Sequence, residues 1–138
     1  MKILVLSDTH MILKNLDTVL DYENGNFDKI IHLGDCVSDV NHIKNLCPDK
    51  EIFSVCGNCD FTSSEKEYDV LDINGVKIYI CHGHKHDVKF DYLDIIEFSK
   101  SLNVNICLFG HTHYPELFYK EGILFLNPGS LSLPRGIG

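Results

Sequence analysis

Four stretches of this 138-residue chain, residues 2–7, 29–33, 51–56 and 105–109, are apolar almost without interruption. A strand with one wet face alternates apolar and polar residues, whereas a short continuous run marks a strand buried on both faces. Such strands need cover on both sides of their sheet, and the segments between them supply it. Leu13, Leu16, Val19 and Leu20 recur at helical spacing after the first run, and Val40, Ile43 and Leu46 do so after the second, before Cys47-Pro48. Strand, helix, strand, helix, strand is the rhythm of a parallel sheet.

After Gly57 the pattern changes. Tyr68–Ile73 and Val76–Cys81 flank Asn74-Gly75, two residues that tolerate the positive φ of a type I′ turn, which predicts a hairpin. Residues 116–119 and 123–126, split by Lys120-Glu121-Gly122, predict a second. Tyr92, Leu93, Ile95, Ile96 and Phe98 through Leu102 predict a helix leading into the run at 105–109. The fold class that follows is α/β, a layered sandwich of two packed mixed β-sheets flanked by helices, in one domain over residues 1–138. The tail, residues 127–138, reads as a loop about to enter another element, so C-terminal strands of such a fold are expected to be absent. The sheet edge left open would invite pairing with a second copy, a homo-oligomer.

Five short segments that each end an apolar run carry groups that bind cations: Ser7-Asp8-Thr9-His10, Gly34-Asp35-Cys36, Gly57-Asn58-Cys59-Asp60, Cys81-His82-Gly83-His84 and Gly110-His111-Thr112-His113. Loops beyond the carboxyl ends of strands meet at one edge of an open sheet, so the five would converge. Asp8 and His10, two residues apart, can grip one ion, and the two oxygens of Asp35 can bridge a pair of ions about 3.5–4 Å apart. Taken singly, Asp8 and Asp35 also suit helix N-caps or turns, and Asn58 suits a turn. Five such segments in order at strand ends point to a metal centre.

The formal net charge is -8 and Arg135 is the lone arginine, which excludes a general nucleic-acid-binding protein. Phosphate charge would have to be met by metal ions, backbone N–H groups or lysines such as Lys14 and Lys85. No segment approaches the ~20 apolar residues of a membrane span, and the first apolar stretch is too short for a signal peptide, so no membrane association and a cytoplasmic location are expected. The six cysteines then read as free thiols, most of them small buried residues. Cys56-Gly57-Asn58-Cys59 is formally a redox or zinc pattern, but it follows a strand instead of opening a helix and has no second pair to complete a four-cysteine site.

The ordered set D-x-H, G-D, G-N-C-D, H-G-H and G-H-T-H, followed by N-P-G-S, resembles the calcineurin-like metallophosphoesterases, and within them the small YfcE-like phosphodiesterases, over essentially the whole chain. The resemblance implies that Asp8, His10, Asp35 and His113 hold one metal and that Asp35, Asn58, His82 and His111 hold a second, with Asp35 shared. These oxygen and nitrogen donors suit Mn²⁺, Fe²⁺, Zn²⁺ or Ni²⁺, with Mn²⁺ placed first. The implied activity is that of a phosphoesterase, foremost a phosphodiesterase, in which a hydroxide bridging two divalent ions attacks the phosphorus of a small phosphodiester or phosphomonoester.

In many larger members of that superfamily a histidine follows the equivalent asparagine and is proposed to protonate the leaving oxygen. Here Cys59 stands in that place, and a thiol is a poor proton donor near neutrality. Substrates with acidic leaving groups are therefore expected, with His84 as a fallback acid or as a support to His82. His86 is a weaker candidate of the same kind, and His32 and His42 are expected to be structural or surface residues. The alternatives are a phosphomonoesterase and a non-catalytic protein-binding scaffold, since a retromer subunit has this fold with a degraded metal site. Every matched ligand position is filled here, which favours the enzyme.

Overall fold

The computed structural model describes residues 1–61 and 63–136. Strands β1 (Ile3–Leu6), β2 (Lys29–His32) and β3 (Glu51–Ser54) form a parallel sheet in that order, connected by helices α1 (Leu13–Glu23) and α2 (Asp39–Leu46). Neighbouring residues of the runs face opposite ways. Ile30 packs with Leu16, Leu20 and Ile43 beneath the helices, while Ile31 packs with Leu33 and Val55 toward the second sheet. A strand with helices on one side and a sheet on the other has no wet face, hence the unbroken apolar pattern.

The second sheet holds β4 (Tyr68–Ile73), β5 (Val76–Cys81), β6 (Ile106–Leu108), β7 (Pro115–Lys120) and β8 (Ile123–Pro128), in the order β4-β5-β6-β8-β7. Both expected hairpins are present, and Asn74 and Gly75 take φ values of 53° and 85° at the first turn. Ile78 and Ile80 point to the inter-sheet core with Leu71, Ile73 and Leu108. Tyr79, Cys107, Phe109 and Phe125 point outward, where α3 (Leu93–Ser101) covers them through Ile95. The result is the expected layered sandwich of helix, sheet, sheet and helix. Parallel and antiparallel pairing mix only in the second sheet. The first is purely parallel because each of its connections is a helical crossover.

β1, β2, β3 and β6 stop one or two residues short of the apolar runs. Ser7, Val55, Cys56 and Phe109 stay buried but leave the ladders, where the chain turns into the ligand-bearing loops. The tail folds back onto the loop after β1. Ser130 Oγ donates to the Asp8 carbonyl at 2.7 Å and Ser132 Oγ to the Thr9 carbonyl at 2.8 Å, while Ile137 and Gly138 lie outside the described residues. Among the described residues no helix is long and apolar enough to cross a membrane.

Candidate metal centre

The loops after β1, β2, β3, β5 and β6 gather at one edge of the sandwich, and most of their candidate ligands sit on an uncommon backbone. Asp8, His10, Asp35, His111 and His113 take φ values of 55°, 48°, 49°, 72° and 64°. Non-glycine residues in the left-handed region concentrate at functional sites, where surrounding structure must hold them. Two glycines permit the approach. A Cβ on Gly57 would lie 2.1 Å from Asp35 Oδ1, and one on Gly110 would lie 2.1 Å from Ser7 Oγ and 2.8 Å from Asp8 Oδ2.

Ligand atoms of Asp8, His10 and His113 lie within 4.8 Å of one another. Asp8 is fully buried. Its Oδ2 accepts from Ser7 Oγ at 2.5 Å and from the His111 backbone N–H at 3.1 Å, but Oδ1 has no hydrogen-bond partner among the described residues. Three imidazole nitrogens surround that bare oxygen: Nε2 of His113 at 3.2 Å, of His10 at 3.6 Å and of His82 at 3.8 Å. His113 Nδ1 donates to the Leu133 carbonyl at 2.9 Å, which leaves the lone pair of a neutral ring on Nε2. A buried, unpartnered carboxylate oxygen among imidazoles fits a divalent cation, because the ion would satisfy all of them together.

A second group, Asp35, His82 and His111, also converges within 4.8 Å. His82 Nδ1 donates to the Leu33 carbonyl at 2.8 Å, which aims Nε2 at Asp35 Oδ2, 3.3 Å away, and at His111 Nδ1, 3.2 Å away. Burial would lower the His82 pKa, but hydrogen bonding to Asp35 and the charges of Asp8 and Asp35 carry it above 6.5. The Asp35 carboxyl is held well below the usual range against the opposing effect of burial, by His82 and by the Cys59 N–H. His111 moves the other way, pushed down to about 4 by burial and by the positive charge of His82. The opposite shifts of His82 and His111 follow from their places, His82 against Asp35 and His111 beside His82.

Cys59 and Asn58 stand differently from the rest. Cys59 is exposed, its N–H donates to Asp35 Oδ1 at 2.9 Å, and partial desolvation of its thiol together with Asp35 pushes its pKa up to about 11. The Asn58 side chain is exposed and donates to Cys59 Sγ at 3.7 Å. The six cysteines are free, and Cys56 is buried with its thiol donating to the Glu65 carbonyl, so the C-x-x-C segment makes no disulfide.

Several residues support the centre in ways the sequence did not spell out, although His32 was expected to be structural or at the surface. Asp60 accepts three backbone N–H groups, from Gly57 at 2.7 Å, Val37 at 2.8 Å and Asp35 at 3.0 Å, and so ties the loop after β3 to the loop after β2. His32 is buried. The Gly34 N–H donates to its Nδ1 at 3.1 Å, which puts the ring proton on Nε2 facing Thr9 Oγ1 at 3.0 Å, and Thr9 donates to Asp39 at 2.6 Å. Asn127 donates to the Gly110 carbonyl at 3.1 Å and to Thr112 Oγ1 at 3.0 Å, bracing the turn that carries His111 and His113. Only the placement of a polar residue beside a ligand segment could have signalled any of these.

His84 opens a short 3-10 turn, with its ring 5.5 Å from that of His82 and 6.1 Å from that of His111, and its buried Nδ1 has no partner among the described residues. Burial and the nearby charge of His82 lower its pKa below 6.5. His86 lies on the other face of β5, between Tyr79 Oη at 2.6 Å and Asp94 at 2.5 Å, and is structural. His42 pairs with Asp17 at 2.6 Å, also away from the centre. Lys85 faces Glu67, 3.7 Å away. A cleft of about 420 Å³ opens beside the centre, lined by Met11, Cys36 and Cys59, each next in sequence to a candidate ligand, and by Lys44 and Phe61.

The model of the calcineurin-like phosphoesterase superfamily domain matches residues 1–137. The probable metallophosphoesterase YsnB of Bacillus subtilis is 33% identical, over 98% of this chain and 78% of its own length. Phosphodiesterase MJ0936 of Methanocaldococcus jannaschii is 29% identical, over 94% of this chain and 83% of its own. Among solved structures, Vps29 of Entamoeba histolytica complexed with zinc superposes with a TM-score of 0.83 at 26% identity, covering 100% of this chain and 80% of that one.

Proposed function

The chain belongs to the calcineurin-like phosphoesterase superfamily, and from that premise we propose that it is a phosphodiesterase dependent on two divalent cations, with Mn²⁺ as the first choice. Asp8, His10 and His113 would hold one ion and His82, His111 and Asn58 the other, with Asp35 shared. The observation that carries this assignment is the buried, unpartnered Asp8 Oδ1 facing three imidazole nitrogens beside a second convergent group. Asn58 would have to turn from Cys59 to join its group. When bound, such a pair of ions activates water and neutralises charge on the phosphoryl oxygens.

The chain's own residues orient and select. Hydrogen bonds from His82 Nδ1 and His113 Nδ1 to backbone carbonyls fix both rings with Nε2 turned into the centre. Lys44 in the adjoining cleft offers a cation to an anionic arm of the substrate, and Met11 and Phe61 offer apolar contact. Room for a second substituent on phosphorus favours a small diester over a monoester. A strong proton donor is missing, since the Cys59 thiol is pushed up to about 11 and His84 is driven toward its neutral form. Acidic leaving groups are accordingly favoured. Six free thiols suit a reducing compartment such as the cytoplasm.

The likeness to Vps29 favours one second reading, a protein-binding scaffold without catalysis. A screen of the wild type and Asp35→Asn with Mn²⁺ on an aryl phosphodiester and an aryl phosphomonoester separates the two. The expected result is turnover of the diester by the wild type, lowered at least about 10²-fold by the substitution. Silence on both substrates would favour the scaffold, and preference for the monoester would reassign the substrate class.

A further inference from the structure

A third set of ligand atoms converges at the centre. A ring nitrogen of His10, a carboxylate oxygen of Asp35 and Cys59 Sγ lie within 4.8 Å of one another. His10 belongs to the first group and Asp35 to the second, so the thiol sits where the two meet. Its position is fixed from two sides. The Cys59 N–H donates to Asp35 Oδ1 at 2.9 Å, and Asp60 clamps the same loop against the Asp35 backbone. Asn58 Nδ2 donates to Sγ at 3.7 Å, so the sulfur is engaged as an acceptor. Cys59 is also exposed, so an ion can reach it from solvent.

We propose that His10, Asp35 and Cys59 form an alternative site that captures one thiophilic divalent ion, zinc or cadmium, and excludes the two-ion state. Thiolate selects soft ions over hard ones, while the two oxygen- and nitrogen-donor groups do not draw that distinction as sharply. On capture, a sulfur–metal bond forms and the S–H proton passes to solvent, with no change of oxidation state. The captured ion takes His10 from the first group and an oxygen of Asp35 from the carboxylate the two groups share, so the first group and the bridge cannot then be completed. Soft ions would act as inhibitors of Mn²⁺ loading through this one side chain. The proposal rests on the two-group reading only in that His10 and Asp35 are ligands there.

The test is titration of the metal-free protein with cadmium, followed by the ultraviolet thiolate-to-cadmium charge-transfer band. The wild type is expected to gain a band that saturates at one equivalent, Cys59→Ser to lack it and Cys36→Ser to keep it. Excess Mn²⁺ should suppress the band in the wild type. No band in the wild type, or an undiminished band in Cys59→Ser, would overturn the site, and a band indifferent to Mn²⁺ would overturn the mutual exclusion. The band needs no turnover, so a chain without phosphoesterase activity leaves this result standing.

Discussion

The Nε2 atoms of His10 and His113 stand 3.2 Å apart although the two residues are 103 positions apart in the chain. The Leu133 carbonyl accepts from His113 Nδ1, and the nearby Asp8 Oδ1 is buried without a hydrogen-bond partner among the described residues. A proton on His10 Nε2 joins the two rings, but nothing among the described residues meets the Asp8 oxygen, which leaves it to a cation.

That unmet oxygen makes the centre a source of metal-linked stability. Mn²⁺ at 100 times its dissociation constant is expected to raise the unfolding free energy by about 2.7 kcal/mol per site, through linkage alone. Urea unfolding with Mn²⁺ and with a chelator measures it. Asp8→Ala should respond less than the wild type, and coincident curves for the wild type would contradict the fit of a cation here.

Asp60 touches no candidate ligand atom, yet it holds three N–H groups of two ligand-bearing loops. Asp60→Ala leaves those donors without their acceptor, and a loss of about 2–3 kcal/mol is expected together with a roughly 10–100-fold weaker hold on Mn²⁺. Calorimetric titration beside urea unfolding reads both. Unchanged Mn²⁺ affinity would show that the clamp is dispensable.

Gly57 admits no side chain. Its Cβ would fall 2.1 Å from Asp35 Oδ1 and 2.9 Å from His82 Cγ. Gly57→Ala should push the Asp35 carboxylate aside and lower bound manganese from two ions per chain toward one, for about 1–3 kcal/mol of stability. Elemental analysis after gel filtration counts the ions. Two retained ions would mean that the loops yield around the added methyl group.

His32 gives the fold a pH dependence separate from the ligands. Burial pushes its imidazole from 6.5 down to about 4, so as pH falls the unfolded chain takes up this proton first. Its contribution is complete above about pH 6.5 and is lost as pH falls toward 4, on the order of 3 kcal/mol. Metal-free wild type should therefore lose stability over that window more steeply than His32→Asn. Parallel slopes in urea-unfolding series would remove His32 from the account.

Much of this was written in the sequence because it depends on local pattern. Two-sided burial leaves continuous apolar runs, Asn74-Gly75 announces its turn, and Asp8, Asp35, His82, His111 and His113 follow strands whose ends must gather at one edge. The supports were hidden because their meaning is tertiary. Asp60 looks like any turn aspartate until its carboxylate meets the backbone of Val37, and His32 looks like a strand residue until Thr9 and Asp39 arrive from elsewhere. The hold of Ser130 and Ser132 on the loop after β1 was hidden as well, because their acceptors lie more than a hundred positions away in the sequence. The approach of the Cys59 thiol to ligand atoms of His10 and Asp35, within 4.8 Å, was hidden too, because it depends on how three loops meet.

The central claim, two ions joined by Asp35 and needed together, is tested most directly by following hydrolysis of bis(4-nitrophenyl) phosphate as Mn²⁺ is added to concentrated metal-free protein. The rate is expected to stay low through the first equivalent, climb through the second and break at two ions per chain. A break at one equivalent with full rate, or no hydrolysis at any loading, would contradict it.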